Sequence, residues 1–318
     1  MNFIEKMNHF TNKDIPFLFV ISFEKNRYEV LPLSECESKN IFYFINGKTN
    51  FNGIFSYPKN LEIKIKKAID YNDYLQAFNK LKEHFIKGNT YLANLTFKTE
   101  IELNCNLLDI FLYSTANYKL FFKDEFVLFS PETFINVMNG YIYTYPMKGT
   151  ISATLPDSDK ILLNDEKEFA EHITVVDLLR NDLGIVSDEV EVTKFRYLVP
   201  VFNKIRPLYQ TISEIKGRLR SFYLNNPGDL FNEILPAGSV TGAPKKKTVE
   251  IIKEIENYDR GYYTGVFGIW ENKNIYSSVM IRFIEKENGK FFYKSGGGIT
   301  IYSDPEKEYK EILEKIYI

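Results

Sequence analysis

Lys148 stands in the stretch YTYPMKGTIS, directly before Gly149 and Thr150 and after a run of strand-forming aromatics. Such a lysine reads in two ways. It is a solvated turn residue, or it is an amine aimed into a pocket, where the neutral form would be a nucleophile. A free lysine is almost fully protonated at pH 7, so the second reading requires burial or a nearby cation. Two acidic pairs add to the chemistry. Glu168 and Glu171 lie one turn apart in DEKEFAEHITVVDLLRNDLG (165–184), and Glu308, Glu311 and Lys315 share one face of PEKEYKEILEKIYI. The plain readings are a solvated first turn, where acids favour a helix N-terminus, and an exposed Glu311–Lys315 pair. Alternatively the two pairs converge on one hard divalent cation. Mg²⁺ is held by one or two carboxylates, with water and substrate oxygens completing its shell.

Three further features point toward an anionic ligand. The loop LPAGSVTGAPKKK (235–247) enters a helix, with Gly238 and Gly242 allowing close backbone approach and Pro244 suiting the first turn. Free N–H groups at such a start attract carboxylate or phosphate, and Ser239 and Thr241 are the candidate contacts. The spacing is not that of a G-x-x-x-x-G-K-[ST] phosphate loop. Gly296, Gly297 and Gly298 in KSGGGITIYSDP read as a glycine turn after a strand, either a plain turn or bulge or a backbone cradle. Arg282 sits in SVMIRFIE, an otherwise apolar strand. A cation there needs a partner, either a structural acid or a ligand carboxylate.

The elements that must position these groups follow from periodicity. Short strands are expected at 16–24, 27–33 and 40–47. A helix is expected over about 70–88, where Tyr71, Tyr74, Leu75, Phe78, Leu81 and Phe85 recur at helical spacing before Gly88. Strands follow at 90–103 and 140–149, with a hairpin over 118–130 turning at Lys123-Asp124. A helix over about 165–183 should stop at Gly184. Its apolar sector contains Phe169, Ile173, Val176 and Leu183, with Glu168, Glu171, Val175, Leu178 and Asp182 on the adjacent sector. A strand at 189–195, helices near 227–235 and 244–257, strands at 263–271, 274–285 and 290–295, and a helix from Pro305 complete the chain. Ser303 or Asp304 caps that last helix. Strands in hairpin-like runs between helices predict an α+β fold with mainly antiparallel sheets and helices outside.

Composition narrows the function classes. The 318 residues suffice for one large domain or two ordinary ones. A net charge of −2 argues against a nucleic-acid or anionic-membrane surface. No apolar run approaches the roughly 20 residues of a membrane span, and MNFIEKMNHF has no secretory core. Cys36 and Cys105 fit neither a disulfide framework nor a zinc site. A cytoplasmic protein is expected.

Seven segments, in order, resemble the chorismate-utilising enzymes: SPETF (130–134), PMKGT (146–150), DEKEFAEH…VVDLLRNDLG (165–184), LPAGSVTGAPKKKTVEII (235–252), RGYYTGVFG (260–268), SSVMIRF (277–283) and GGGITIYSDPEKEYKEILEK (296–315). The resemblance runs from about Tyr91 to the C-terminus. It implies the fold of anthranilate synthase component I: two large, mainly antiparallel sheets packed together with helices outside. It also implies a single catalytic domain over 1–318, whose residues 1–65 form a shortened β-rich part.

The resemblance further implies roles. Glu171, Glu311 and Glu308 match the Mg²⁺ region, and Mg²⁺ grips the ring carboxylate of chorismate. Glu168 matches an acid beside the metal and counts among the catalytic groups. Tyr263, Arg282, Gly296, Gly297 and Gly298 match the grip on the enolpyruvyl carboxylate. Gly149, Thr150, Ser239, Thr241 and Lys315 match further substrate contacts, and Glu132 matches the general acid/base at C4. Within the family, PMKGT is similar to the P-I-K-G-T of many aminodeoxychorismate synthases, component I, whereas anthranilate synthases resemble P-I-A-G-T. That branch would use Lys148 as a covalent nucleophile. Isochorismate and salicylate synthases carry a base lysine where YLANLT has Leu92, which argues against water activation. Gln210 stands where the family often has a histidine tied to elimination, and Ile185 replaces a common arginine. The resemblance implies ammonia from solution or from a separate glutamine amidotransferase subunit (component II). A separate aminodeoxychorismate lyase would act downstream. No nucleic acid, no membrane and no tryptophan feedback are expected.

Overall fold

The computed structural model describes residues 1–53, 61–202 and 207–318. Two nine-stranded sheets form its framework, with antiparallel pairing in every ladder described and helices between the strand runs. The α+β expectation holds. The chain divides into two compact units. One comprises Met1–Pro16, Glu132–Leu235 and Ile269–Ser277; the other comprises Phe17–Pro131, Pro236–Gly268 and Ser278–Ile318. Among the described residues, no helix is long and apolar enough to cross a membrane.

In the first unit the strands run in the order Met147–Ser152, Pro207–Leu219, Tyr141–Thr144, Thr133–Met138 and Asn274–Val279, and Ser187–Phe202 also pairs with Pro207–Leu219. The strand expected at 189–195 is thus much longer, and its partner Pro207–Leu219 is not expected from periodicity at all. Helix Phe3–Asn12 is a second addition. It is capped reciprocally by Asn2 and Glu5, a pattern that satisfies two orphan backbone donors at once.

Helix Glu166–Val186 starts where the Asp165 side chain accepts from the Glu168 backbone N–H at 2.9 Å. It does not stop at Gly184 but runs two residues further, into the Ser187 strand. Its buried face is His172, Val175, Val176, Leu178, Leu179, Asp182, Leu183 and Val186. Phe169 and Ile173, expected in the packing sector, are 41% and 42% exposed. Phe169 instead meets Phe195 edge-on at 6.1 Å and lies 5.2 Å from the Arg196 guanidinium. Long-strand side chains hold the ring at the surface, outside the core.

In the second unit the sheet order is Gly242–Ala243, Leu92–Leu103, Lys290–Ile299, Phe283–Glu287, Phe126–Ser130, Tyr118–Phe122, Ile41–Ile45 and Lys48–Thr49, with Ile63–Lys67 also on Leu92–Leu103. The 118–130 hairpin turns at Lys123 and Asp124, both with positive φ, the geometry that matches strand twist. Helix Tyr71–Ile86 buries Tyr74, Phe78, Leu81 and Phe85 against Ala93, Leu95, Phe97, Ile251, Ile255 and Ile312. Helix Leu107–Tyr113 buries Leu107, Ile110 and Phe111 beside Phe121, Val127 and Tyr293. At about 25 cal/mol per Å² of apolar surface, such aromatic-rich faces fix each helix on its sheet.

Gly296–Gly298 is not a turn. These glycines lie inside strand Lys290–Ile299, opposite Thr96, Leu95 and Asn94. The residues Met280–Arg282 interrupt the expected 274–285 strand, leaving Asn274–Val279 and Phe283–Glu287.

Candidate active site

Lys148 occupies strand Met147–Ser152 opposite Thr211, and Thr150 lies opposite Gln210, so the register slips at Gly149. Gly149 has φ +77, a left-handed conformation that glycine adopts without steric cost. The bulge re-aims the neighbouring side chains. The Thr211 hydroxyl donates to the Lys148 carbonyl and secures it. A Cβ on Gly149 would lie 3.0 Å from Leu162 Cδ1 and 3.1 Å from Glu168 Oε2. Hence the Glu168 carboxyl rests against the glycine backbone next to Lys148.

The lysine amine donates to Glu171 Oε2 at 3.1 Å, and Lys167 Nζ stands 3.6 Å from Glu171 Oε1. Lys148 is therefore neither a free surface lysine nor fully buried. Burial, then the Glu171 charge, pushes the Glu168 carboxyl above its ordinary range, against the pull of Lys148. Glu132 is half-buried immediately before strand Thr133–Met138. That strand is separated from the Lys148 strand by Tyr141–Thr144 and Pro207–Leu219.

Behind Glu171 lies His172, fully buried. Its Nε2 is 2.7 Å from the Ser213 hydroxyl. Ser213 Oγ accepts from the Arg196 backbone N–H at 2.9 Å, and the Ser213 backbone N–H donates to the Pro146 carbonyl at 3.0 Å. The chain of contacts therefore ends two residues before Lys148. Burial, then the Arg196 charge, holds the imidazole down at about 4, so it is neutral at pH 7. The sequence signal for this support was a histidine directly after Glu171 on a helix otherwise buried at that face.

In the second unit, Lys315 Nζ lies 2.7 Å from Glu311 Oε1 and donates to the Gly296 carbonyl at 2.9 Å. A Cβ on Gly297 would stand 3.6 Å from Glu308 Oε2 and 3.7 Å from Lys315 Nζ. Glu308, Glu311, Lys315 and the glycine strand are thus brought together. The Glu311–Lys315 pair expected from spacing is present, and it reaches the glycine backbone as well.

Arg282 departs from its reading as a strand residue: its φ is +53. Its guanidinium donates to the Lys315 carbonyl at 2.8 Å and stacks 4.5 Å over the Tyr317 ring. Its partners are a carbonyl and aromatics rather than a structural acid. Tyr263 is buried, and burial drives its phenol well above the usual range. Ser239 lies in the short 3-10 turn Gly238–Val240. The Thr241 hydroxyl is committed to the Ala237 carbonyl at 2.7 Å, and Pro244 caps helix Lys245–Ile255 from outside its first turn.

Among the described residues, no group of three or more His, Cys, Asp or Glu side chains stands together as a metal cluster. The donor chemistry nonetheless suits Mg²⁺. Each unit offers a glutamate pair one turn apart, and carboxylate oxygens are the donors this ion takes, few at a time. Burial is the main cause that raises Glu168; the Glu171 repulsion that adds to it is the kind a cation relieves.

Residues 55–318 match the family model described as chorismate binding enzyme. An uncharacterized PabA-like protein of Haemophilus influenzae is 46% identical over all of this chain and 96% of its own length. Anthranilate synthase component 1 of Acetivibrio thermocellus is 32% identical over 84% of this chain, and aminodeoxychorismate synthase component 1 of Bacillus subtilis is 32% identical over 77%. The chain spans about half the length of these last two, 56% and 54%. Among solved structures, anthranilate synthase component I of Streptococcus pneumoniae superposes with TM-score 0.67 at 29% identity, covering 80% of this chain and 58% of that one. The menaquinone-specific isochorismate synthase of Escherichia coli gives TM-score 0.74 at 16% identity, covering 98% and 79%, and shares the fold. The chain belongs to the chorismate-binding enzyme family.

Proposed function

We propose that this protein is an aminodeoxychorismate synthase, component I, which converts chorismate and ammonia to 4-amino-4-deoxychorismate and water. The observation that carries the reading is the Lys148 amine, presented by the Gly149 bulge 3.1 Å from Glu171. The two 32% relatives are named for different reactions, so similarity alone does not choose between them. The lysine supplies what para-amination needs and ortho-amination does not.

Glu168 takes the proton that Lys148 must lose. The Lys148 nitrogen then bonds to C2, the ring double bonds shift, and the C4–O bond breaks with Glu132 protonating the departing hydroxyl as water. Ammonia next bonds to C4 and returns a proton to the Glu132 carboxylate, the shift reverses, and the C2–N bond breaks, returning the lysine. Arg282, Tyr263 and the Gly296–Gly298 amides bind the enolpyruvyl carboxylate. Ser239, Thr241, Thr150 and Lys315 complete the substrate contacts. Glu171, Glu308 and Glu311 would hold Mg²⁺, which when bound supplies positive charge to the ring carboxylate. Glutamine reaches the reaction as ammonia from an amidotransferase subunit, and a separate lyase consumes the product toward 4-aminobenzoate and folate.

The test incubates protein with chorismate, Mg²⁺ and ammonium, then adds the lyase. The expected outcome is 4-aminobenzoate that appears only after the lyase. Anthranilate formed without it would replace this reading with that of an anthranilate synthase. No consumption of chorismate, even with the amidotransferase present, would point to a silent scaffold.

A further inference from the structure

The second unit contains an ion pair that the proposed chemistry does not use. Glu256 and Arg260 have side chains only 2% exposed each. Arg260 Nε donates to Glu256 Oε2 at 2.7 Å and its Nη2 donates to Oε1 at 2.7 Å, a bidentate pairing. Burying two charges is costly, and an apolar pair of similar volume is often as stable or more so. Such a pair is weak evidence of stabilisation, so its other contacts matter.

Those contacts run to three backbone segments. Arg260 Nη2 donates to the Asn94 carbonyl at 2.6 Å, and its Nη1 donates to the Val240 carbonyl at 2.9 Å and reaches the Thr264 hydroxyl at 3.3 Å. Glu256 Oε1 accepts from the Thr96 backbone N–H at 2.8 Å and from its hydroxyl at 2.9 Å. Asn94 and Thr96 lie directly opposite Gly298 and Gly296 in the ladder. Val240 is flanked by Ser239 and Thr241, whose carbonyl accepts from the Asn94 N–H at 2.9 Å. Thr264 follows Tyr263 and bonds to its carbonyl at 2.6 Å. Two of these segments therefore carry residues assigned to substrate binding, Ser239 with Thr241 and Tyr263, and the third is hydrogen-bonded to the glycine strand that carries the rest.

We infer that Glu256 and Arg260 are positioning residues, a buried clamp that sets the glycine strand, the 239–241 turn and Tyr263 at the spacing a carboxylate of the substrate requires. The inference rests on the proposed assignment of those three segments to substrate binding. It does not depend on which amination product forms. Neither clamp residue touches the substrate. A loosened clamp weakens binding in ground and transition states alike, so it raises KM more than it lowers kcat.

The test measures chorismate consumption, whatever the product, for Glu256→Gln, Arg260→Lys and the double substitution Glu256→Met/Arg260→Met. The Gln and Lys variants keep the shape but break the fork. The double variant removes both charges together, which buried pairs tolerate. The expected result is a rise of about tenfold in KM with kcat within about threefold in each folded variant. An unchanged KM with only a lowered melting temperature overturns the clamp and leaves a structural pair. If none of these three variants folds, Tyr258→Phe decides. It deletes the hydroxyl 2.6 Å from Thr96 Oγ1 and leaves the ion pair whole. A KM rise of about threefold then supports the clamp, and no rise overturns it.

Discussion

Lys148 Nζ and Glu171 Oε2 stand 3.1 Å apart, on side chains 30% and 27% exposed. A half-exposed pair of this kind contributes about 0–1 kcal/mol to stability. Its presence on a bulged strand beside a raised carboxyl is better explained by chemistry than by folding. Stability and activity should therefore separate when Lys148 is changed.

Lys148→Ala and Lys148→Arg are expected to melt within a few degrees of the parent yet lose at least about 10²-fold in kcat/KM. The arginine variant is the sharper of the two. It keeps the positive charge for Glu171 but offers no usable lone pair. Intact-protein mass spectrometry checks the covalent step: with chorismate and Mg²⁺ but no ammonia, the parent gains a chorismate-derived adduct and both variants do not. Normal turnover by either variant removes Lys148 as nucleophile.

Chelation should stop turnover, and Mg²⁺ should restore it. Glu311→Gln is expected to raise the Mg²⁺ concentration for half-maximal rate by at least about tenfold, as loss of a ligand or its support does. Glu171→Gln should do the same, but it also releases the Lys148 amine from its partner. The Glu311 variant is thus the cleaner probe of the metal. Isothermal titration of Mg²⁺ into each protein checks the affinity apart from the rate, and unchanged affinity in both variants would exclude these ligands.

His172 makes stability depend on pH in a defined direction. The imidazole is held at about 4 in the folded protein by burial and by the Arg196 and Lys148 charges. Unfolded, it titrates near 6.5. Between those values the unfolded chain binds more protons than the folded one, so stability rises with pH and is lost as pH falls through the window. From pH 7 to pH 5 the parent should lose about 2 kcal/mol more than His172→Gln, because only the parent must charge a buried ring. Urea midpoints at both pH values read this, and equal losses in the two proteins would contradict it.

The sequence was most legible where side chains repeat a plain apolar period. Helix Tyr71–Ile86 and the 118–130 hairpin lie close to their expected places because Tyr74, Phe78, Leu81, Phe122 and Phe126 all face cores. Strand Pro207–Leu219 was hidden for the opposite reason. Its inward face begins with Thr211 and Ser213, both fully buried, whose hydroxyls serve Lys148 and His172. The residues that support the site removed the apolar alternation that would have marked the strand. Gly296–Gly298 likewise read as a turn because glycine punctuates loops, whereas here the bare backbone lets Glu308 and Lys315 lie close to the strand. The candidate residues themselves were legible through the family resemblance. Their burial, the Arg282 backbone and the Glu256–Arg260 clamp were not, since each depends on partners distant in the chain.

Gly149→Ala tests how narrowly the nucleophile is placed. Alanine at φ +77 pays about 1–2 kcal/mol for the left-handed conformation. Its methyl also meets Leu162 Cδ1 at 3.0 Å and Glu168 Oε2 at 3.1 Å, so each must give by a few tenths of an ångström. Leu162 is buried, whereas the Glu168 carboxyl is the far end of a flexible chain, so the carboxyl gives more readily than the leucine. Small displacements of a reacting group cost rate far more than stability, up to about 10²-fold for 1 Å. The variant should unfold at a melting temperature only a few degrees lower and lose about tenfold or more in kcat. Equal and small losses in kcat and stability would mean that neither the bulge nor the carboxyl beside it sets the aim of Lys148.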